Sequence, residues 1–531
     1  MCGIFAYQGR SLSPEALAKA FATLAPRGPD HSSLTAIAPG VTIGFHRLAI
    51  MDPSPAGHQP FTDPETGLSV VCNGEIFNEP LLRPRYRASY TFRSRSDCEV
   101  LLPLLRAEGL ANTVRQLDAE FALIVYDPRE GRLLAARDPI GIRPLFYGTT
   151  ATPGEILFAS EAKALHSLCE EIHPFPPGHY WDGTAFHSFR SMSAQAPVTY
   201  PTLESLRSVL ASSLTTAVSK RLHADRPLGC LLSGGLDSSL IAALATRLRD
   251  RPLTTFAIGC DIDPIDLKYA AEVARFIGSD HHEVRFTHDD AIASLESLIY
   301  QLETWDITTI RASIGMAFLC RYIQKHTDIK VVLTGEVADE LFGYKYTDFA
   351  PDAQAFQSEA QKRIRELHLY DVLRADRCIA GHGLEARVPF GDLDWVDTVM
   401  AIDPERKLNR YGIGKFLLRQ AFADQELLPQ SILMREKAAF SDAVGHSMVD
   451  ALRAFAEAMI SDQELKDAAK LYEYATPFTK EALLYRKIFA KHFPGRERLI
   501  PDFWMPNKSW AGCQVSDPSA RVLSNYGGSG V

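Results

Sequence analysis

The chain has 531 residues, 46% of them apolar and 23% charged, with a formal net charge of −9. That length outruns a single hydrophobic core, so two or three domains are expected. The composition is that of a soluble globular protein, and the negative charge speaks against a general nucleic-acid binder while leaving small anionic substrates open.

No run approaches the ~20 apolar residues of a membrane helix. Met1-Cys2-Gly3-Ile4 does not open a signal peptide, and the nine cysteines contain no Cys-x-x-Cys pair. Neither a disulfide framework nor a zinc site is expected. These readings place the protein in the cytoplasm, with small-molecule partners and no role at membranes or on nucleic acid.

In chain order, residues 1–190 read as short β-runs, at 41–45, 68–72, 122–126, 132–136 and 156–159, punctuated by Gly, Pro and Asp. They predict an α+β domain layered on antiparallel sheet. The periodicity lapses between 187 and 202, as in a linker. From 203 the grammar changes to a helix at 203–222, a buried strand at 228–232, a helix at 238–248, a strand at 254–258, a helix through 270–277 and a strand at 330–333. Strands alternating with helices predict an α/β domain on a parallel sheet over 203–531, mainly helical after about 350. The last ~10 residues, Asn525 onward in particular, read as disordered. His281 and His282 point to opposite sides of a strand, so ordinary polar contacts are expected of them rather than a metal.

Cys2 directly follows the initiator methionine, and its small side chain favours removal of that residue. The exposed α-amine, with an ordinary pKa near ~8, could take the thiol's proton and activate it as a nucleophile. Attack on a carboxamide then requires donors for an oxyanion. Asn73-Gly74-Glu75, read as a tight turn after a strand, offers a side-chain amide and a backbone N–H. Arg47 could fork onto a substrate carboxylate, and Asp97 could meet an ammonium.

Arg27-Gly28-Pro29-Asp30, His46-Arg47-Leu48-Ala49-Ile50, Asn73-Gly74-Glu75-Ile76-Phe77-Asn78, Ser96-Asp97-Cys98-Glu99 and Arg137-Asp138-Pro139-Ile140-Gly141 follow Cys2 in order. This string resembles the class II glutamine amidotransferase domain, of the N-terminal-nucleophile αββα fold. The resemblance implies that Cys2 is a glutaminase nucleophile forming a thioester. It makes Asn73 and Gly74 an oxyanion hole, and has Arg47, Leu48, Ala49, Ile50, Met51, Glu75 and Asp97 hold glutamine with them. Pro26 departs from the polar residue common in relatives.

Ser233-Gly234-Gly235-Leu236-Asp237-Ser238-Ser239 lies between a buried strand and a helix start. Two glycines let backbone N–H groups curl toward phosphate oxygens, and the helix N-terminus adds partial positive charge. The loop lacks the Gly-Lys-Ser/Thr ending of a Walker A sequence. It resembles the pyrophosphate loop of ATP pyrophosphatases, which activate a carboxylate as an acyl-adenylate. In that family the flanking residues, here Leu232, Ile258, Thr334 and Gly335, contact adenosine. Thr334-Gly335-Glu336-Val337-Ala338-Asp339 resembles the second signature. It implies a metal-side pair, Asp237 and Asp339, and Glu336 as the acid needed at the acyl-adenylate. Lys437, in Arg435-Glu436-Lys437-Ala438-Ala439-Phe440, corresponds to the lysine that meets the phosphates.

Both signatures in one chain resemble the glutamine-hydrolysing asparagine synthetase family, of the bacterial and plant type. The resemblance implies a ligase using ATP and Mg²⁺. Ammonia freed at Cys2 would pass through an internal tunnel to a β-aspartyl adenylate, and a homodimer is expected by analogy. Thr308, Arg311 and Ser313, with Glu336, are read as the acid-substrate pocket, an arginine suiting an α-carboxylate.

Departures gather in the second domain. Val337 stands at a usual Gly, a single Gly343 at a usual pair, and Gly391, Gly414 and Ala443 replace Leu, Glu and Gly. They keep two rivals in view: the same chemistry on another carboxylic acid, or a non-catalytic sensor of nucleotide or glutamine.

Overall fold

The computed structural model describes residues 1–193, 195–262, 264–436 and 446–527. Lys437 and Ala443 fall outside them, as do residues 528–531. The chain divides into two compact units. The first comprises Met1–Ser191 with two later segments, Ala224–Pro227 and Ile379–Ala386; the second holds the remainder.

The first unit is built on two six-stranded sheets. One runs Glu171–Pro174, Phe146–Thr149, Ile156–Ala159, Gly3–Gln8, Val41–Arg47, His31–Ala38, and the other Phe186–Ser188, His179–Trp181, Arg132–Arg137, Ala119–Asp127, Ser69–Ile76, Phe61–Thr62. Alternation along the strands decides the packing, since successive side chains face opposite ways. Ile4, Ala6, Ile43 and Phe45 of one sheet meet Val71, Ala122, Ile124 and Ala135 of the other in a shared core. On the outer face of the second sheet, Val70, Cys72, Leu123 and Val125 pack with the helix Leu101–Gln116. On the outer face of the first, Phe5 and His46 meet Phe21 of the helix Pro14–Ala22. The order is helix, sheet, sheet, helix, as the resemblance to the class II glutamine amidotransferase domain implies.

One local expectation fails. Asn73-Gly74-Glu75 is not a turn but lies inside the strand Ser69–Ile76, paired through to Ile76 opposite Ala119. Asn-Gly is a hairpin signal only where the chain must reverse; here Gly74 lets the neighbouring strand come close. A Cβ on it would lie 2.4 Å from Glu120 O and 2.8 Å from Phe121 Cα.

The second unit carries a parallel sheet in the order Asp280–Phe286, Thr254–Cys260, Leu228–Leu231, Val331–Leu333. The helices Leu236–Arg247 and Ile265–Ile277 make the crossovers, and helices dominate thereafter. The central strands are buried throughout, as a sheet covered on both faces requires. His281 and His282 make the ordinary contacts read for them, to Thr255 (2.8 Å) and Tyr322 (3.3 Å). Disorder from Asn525 onward does not hold for Asn525 and Tyr526. Asn525 donates to Lys345 O at 2.9 Å, and Tyr526 is buried. All nine cysteines are free thiols, and no helix among the described residues is long and apolar enough to cross a membrane.

Candidate active sites

In the first unit the strand Gly3–Gln8 delivers Cys2 to the end of the shared core. The Cys2 backbone nitrogen donates to Asn73 Oδ1 at 2.8 Å, and its thiol lies 3.8 Å from Leu48 O. Arg27, held to Glu161, donates from Nε to Cys2 O at 2.9 Å. Burial pushes the thiol pKa up, so the proton stays until a base takes it. Met1 still precedes the cysteine. Its buried ammonium sits 3.4 Å from Leu384 O and 3.6 Å from Glu385, and desolvation pulls it down to about 6. The Cys2 nitrogen seen here is therefore a peptide stand-in for the amine that excision of Met1 would create.

Asn73 is wholly buried, and its Oδ1 is fixed by Cys2. That contact orients the amide and leaves Nδ2 without a hydrogen-bond partner among the described residues. A buried donor with no acceptor costs about 1–3 kcal/mol, which makes it a marker of a site that a ligand completes.

The glutamine-side residues surround this point unevenly. Asp30 Oδ2 accepts from Ala49 N–H at 2.8 Å and fixes the stretch holding Leu48 and Ile50. Arg47 does not present the expected fork. Its guanidinium donates to the carbonyls of Ser54 (2.7 Å), Met51 (3.2 Å) and Asp52, tying down that loop. Asp97 Oδ2 accepts from Ile76 N–H at 2.8 Å, and burial raises its pKa. Glu75 is buried beside them in the strand.

In the second unit a cavity of about 230 Å³ opens over the ends of the parallel strands. Leu232, Ser233, Gly235, Asp237, Ser238, Ile258, Thr308, Arg311, Thr334, Gly335, Glu336 and Asp339 line it. Gly234 makes the turn at φ 72°, and a Cβ there would strike Ala270 N at 2.5 Å. The hydroxyls of Ser233 and Ser238 pair at 3.0 Å. Those of Ser239, Thr308 and Thr334 are buried with no partner among the described residues. Gly335 sits against the loop, where a Cβ would come within 2.8 Å of Ser238 N.

Two members of the expected acid pocket are otherwise engaged. Every donor atom of Arg311 is committed: Nε and Nη2 to Glu481, Nη1 to Asp517 (3.2 Å) and Ser519 (2.9 Å), Nη2 also to Asp517 (3.0 Å). A guanidinium has five N–H groups, so nothing remains to fork onto a substrate. Ser313 Oγ donates to Thr309 O at 2.6 Å, within its own helix, and does not line the cavity. Long-range partners such as Asp517 leave no trace in the local motif.

Several residues without an assigned role complete the site. Arg374 Nη2 lies 2.7 Å from Glu336 and 3.1 Å from Asp371. Burial raises the Glu336 pKa against that arginine's pull. Tyr344 Oη donates to Glu340 and reaches Asp371 at 3.2 Å. Lys415 bridges Asp237 and Asp339. For Lys415 the sequence offered only a lysine after an unusual glycine. Val337 adopts φ 80° and ψ −17°, left-handed backbone that a β-branched side chain strongly resists.

The glutamine amidotransferase domain family matches residues 1–193, and the asparagine synthase family matches residues 209–354 and 345–516. A probable glutamine-hydrolysing asparagine synthetase of Acanthamoeba polyphaga mimivirus is 40% identical over 559 residues, covering 98% of this chain and 100% of that protein. The glutamine-hydrolysing asparagine synthetase of Cricetulus griseus is 40% identical over 569 residues, and that of Homo sapiens 38% over 567, each covering 99% of both chains. The chain belongs to the asparagine synthetase family, with a glutamine amidotransferase domain ahead of its synthetase domain.

Proposed function

We propose that the protein is a ligase that makes asparagine from aspartate, with glutamine as nitrogen donor and ATP as the activating co-substrate. The observation that carries the reading is the idle Nδ2 of buried Asn73 beside the Cys2 thiol, in a chain whose other unit opens a serine–glycine loop onto an acid-lined cavity.

Once Met1 is removed, the Cys2 amine takes the thiol proton, and the thiolate attacks the glutamine carboxamide carbon. Asn73 Nδ2 and Gly74 N–H receive the developing oxyanion. The C–N bond breaks, ammonia leaves with the transferred proton, and water later opens the thioester to glutamate. Leu48 to Met51, Glu75 and Asp97 shape the glutamine pocket. Arg47 contributes by fixing the loop that ends at Ser54.

In the second unit the β-carboxylate of aspartate attacks the α-phosphorus of ATP, giving a β-aspartyl adenylate and pyrophosphate. Backbone N–H groups of 233–239 and the serine hydroxyls neutralise the leaving pyrophosphate, with Lys437. Leu232, Ile258, Thr334 and Gly335 bound the adenosine. With Arg311 spent on Glu481 and Asp517, we assign the acid's recognition to Thr308, Glu336 and Arg374. Ammonia released from glutamine displaces AMP.

Among the described residues no three ligating side chains gather as a metal site. Asp237 and Asp339 nonetheless converge on the Lys415 ammonium, a placement that fits Mg²⁺, an ion held by one or two carboxylates with phosphate oxygens. When bound, it would neutralise charge on the pyrophosphate. A cytoplasmic homodimer completes the proposal.

The test is incubation with amide-¹⁵N glutamine, aspartate and ATP, followed by mass spectrometry. The expected result is ¹⁵N-asparagine with equal AMP and pyrophosphate. Amidation of a different acid would overturn the substrate, and nucleotide binding without pyrophosphate release from any acid would overturn the enzyme.

A further inference from the structure

Lys415 begins the helix Phe416–Phe422 in left-handed backbone, φ 59° and ψ 33°, an uncommon conformation for a residue other than glycine. Its side chain is 3% exposed, and its ammonium stands 2.6 Å from Asp237 Oδ2 and 2.7 Å from Asp339 Oδ1. Burying a charge is costly unless it is paired. Here one cation serves two carboxylates that come from different elements, one following the glycine loop and one following the strand Val331–Leu333.

Resting on the proposed reading of Asp237 and Asp339 as the metal-side pair, we propose that Lys415 is a placeholder cation. In the nucleotide-free protein it holds both carboxylates in position, and a divalent ion can enter only by displacing it from at least one of them. Mg²⁺ binds oxygen at ~2.0–2.1 Å, so an ion on both carboxylates and an ammonium between them cannot share the gap. A free ion must expel the ammonium from at least one aspartate and brings no anion in exchange. An ion that arrives on pyrophosphate brings anionic oxygens to which the displaced ammonium can donate. Metal entry is thereby coupled to phosphate entry. Gly412 and Gly414, where an added Cβ would meet nothing within 4 Å, leave the segment room to shift.

The test uses Mn²⁺ as probe and electron paramagnetic resonance of the full-length protein, with and without inorganic pyrophosphate, corrected for Mn²⁺–pyrophosphate in buffer. The wild type is expected to bind Mn²⁺ at least about tenfold more tightly with pyrophosphate than alone, a coupling in the usual range. Lys415→Met is expected to bind Mn²⁺ alone about tenfold more tightly than wild type, because the Lys415 ammonium no longer competes for the carboxylates. Lys415→Arg should restore the coupling. Wild-type protein that binds Mn²⁺ equally with and without pyrophosphate overturns the proposal, as does a Lys415→Met protein no tighter than wild type. If that variant fails to fold, the wild-type comparison decides alone. Asparagine formation is scored separately. An active wild type with uncoupled Mn²⁺ binding removes only the placeholder, and an inactive one with coupled binding removes only the assigned reaction.

Discussion

The two sites are poised in opposite ways. Beside Cys2 the structure leaves a donor without an acceptor: Asn73 is oriented through Oδ1, and its Nδ2 waits in a buried position. Around Asp237 the cations are already engaged, with Lys415 between two aspartates, Arg374 on Glu336 and Arg311 on Glu481 and Asp517. The first site gains a hydrogen bond when its intermediate forms, so it can be rigid. The second must exchange internal ion pairs for pairs with its ligands, so it must rearrange. A neutral amide substrate suits the former, and a polyanionic nucleotide the latter.

Removing the nucleophile gives the sharpest contrast. Cys2→Ala should lower glutamine-dependent asparagine formation by ~10⁴-fold or more, as loss of a covalent nucleophile does, while ammonium salts support synthesis at the wild-type rate. A parallel loss of ammonia-driven turnover would mean the two sites are not chemically independent.

Arg311→Ala probes the saturated side. Buried Glu481 would lose its cation and Asp517 would keep only Arg453, at a cost of about 3–5 kcal/mol in unfolding free energy. Denaturant titration should show the loss in the second unit while glutaminase activity persists. A shift under 1 kcal/mol would return Arg311 to the role of substrate ligand.

Asn73→Ala probes the waiting donor. Glutaminase kcat should fall by ~10²–10³-fold with KM little changed, the pattern of an interaction made only in the transition state. A rise in KM alone would make Asn73 a ground-state contact.

The smallest effect concerns backbone strain. Val337→Gly loses a buried side chain but relieves φ 80°, whereas Val332→Gly, in the central strand, loses the side chain with no relief. The first should be milder by about 1–3 kcal/mol, the cost of such strain. Equal losses in thermal unfolding would show that the turn at Val337 carries no strain.

Much of this architecture is legible in the sequence because periodicity and punctuation are local. The strand Ile156–Ala159 falls on its expected residues, and the helix starting at Leu203 begins where its Thr202 cap stands. What could not be read was set by distant partners. Asn73-Gly74 looked like a reversal because the sequence does not show Glu120 pressing against the missing Cβ. Arg311 looked free because its acids lie 170 and 206 positions away. Val337 was visible as a departure from a usual glycine, and the structure holds it in the left-handed backbone that glycine favours.

Residues Asp517 and Ser519 hold Arg311, and Pro518, Ala520 and Leu523 wall the cavity of the second unit. The first unit, for its part, includes Leu384 and Glu385 against Met1. During synthesis on the ribosome, the amino-terminal unit is therefore incomplete until residues 379–386 have been made, and the cavity of the second unit stays open until residues 517–523 have followed. A nascent chain that stalls between those two points would carry a complete amidotransferase unit with no acceptor for its ammonia. Truncation ahead of Asp517 should therefore be poorly tolerated, since it removes partners of Arg311 and part of the cavity wall.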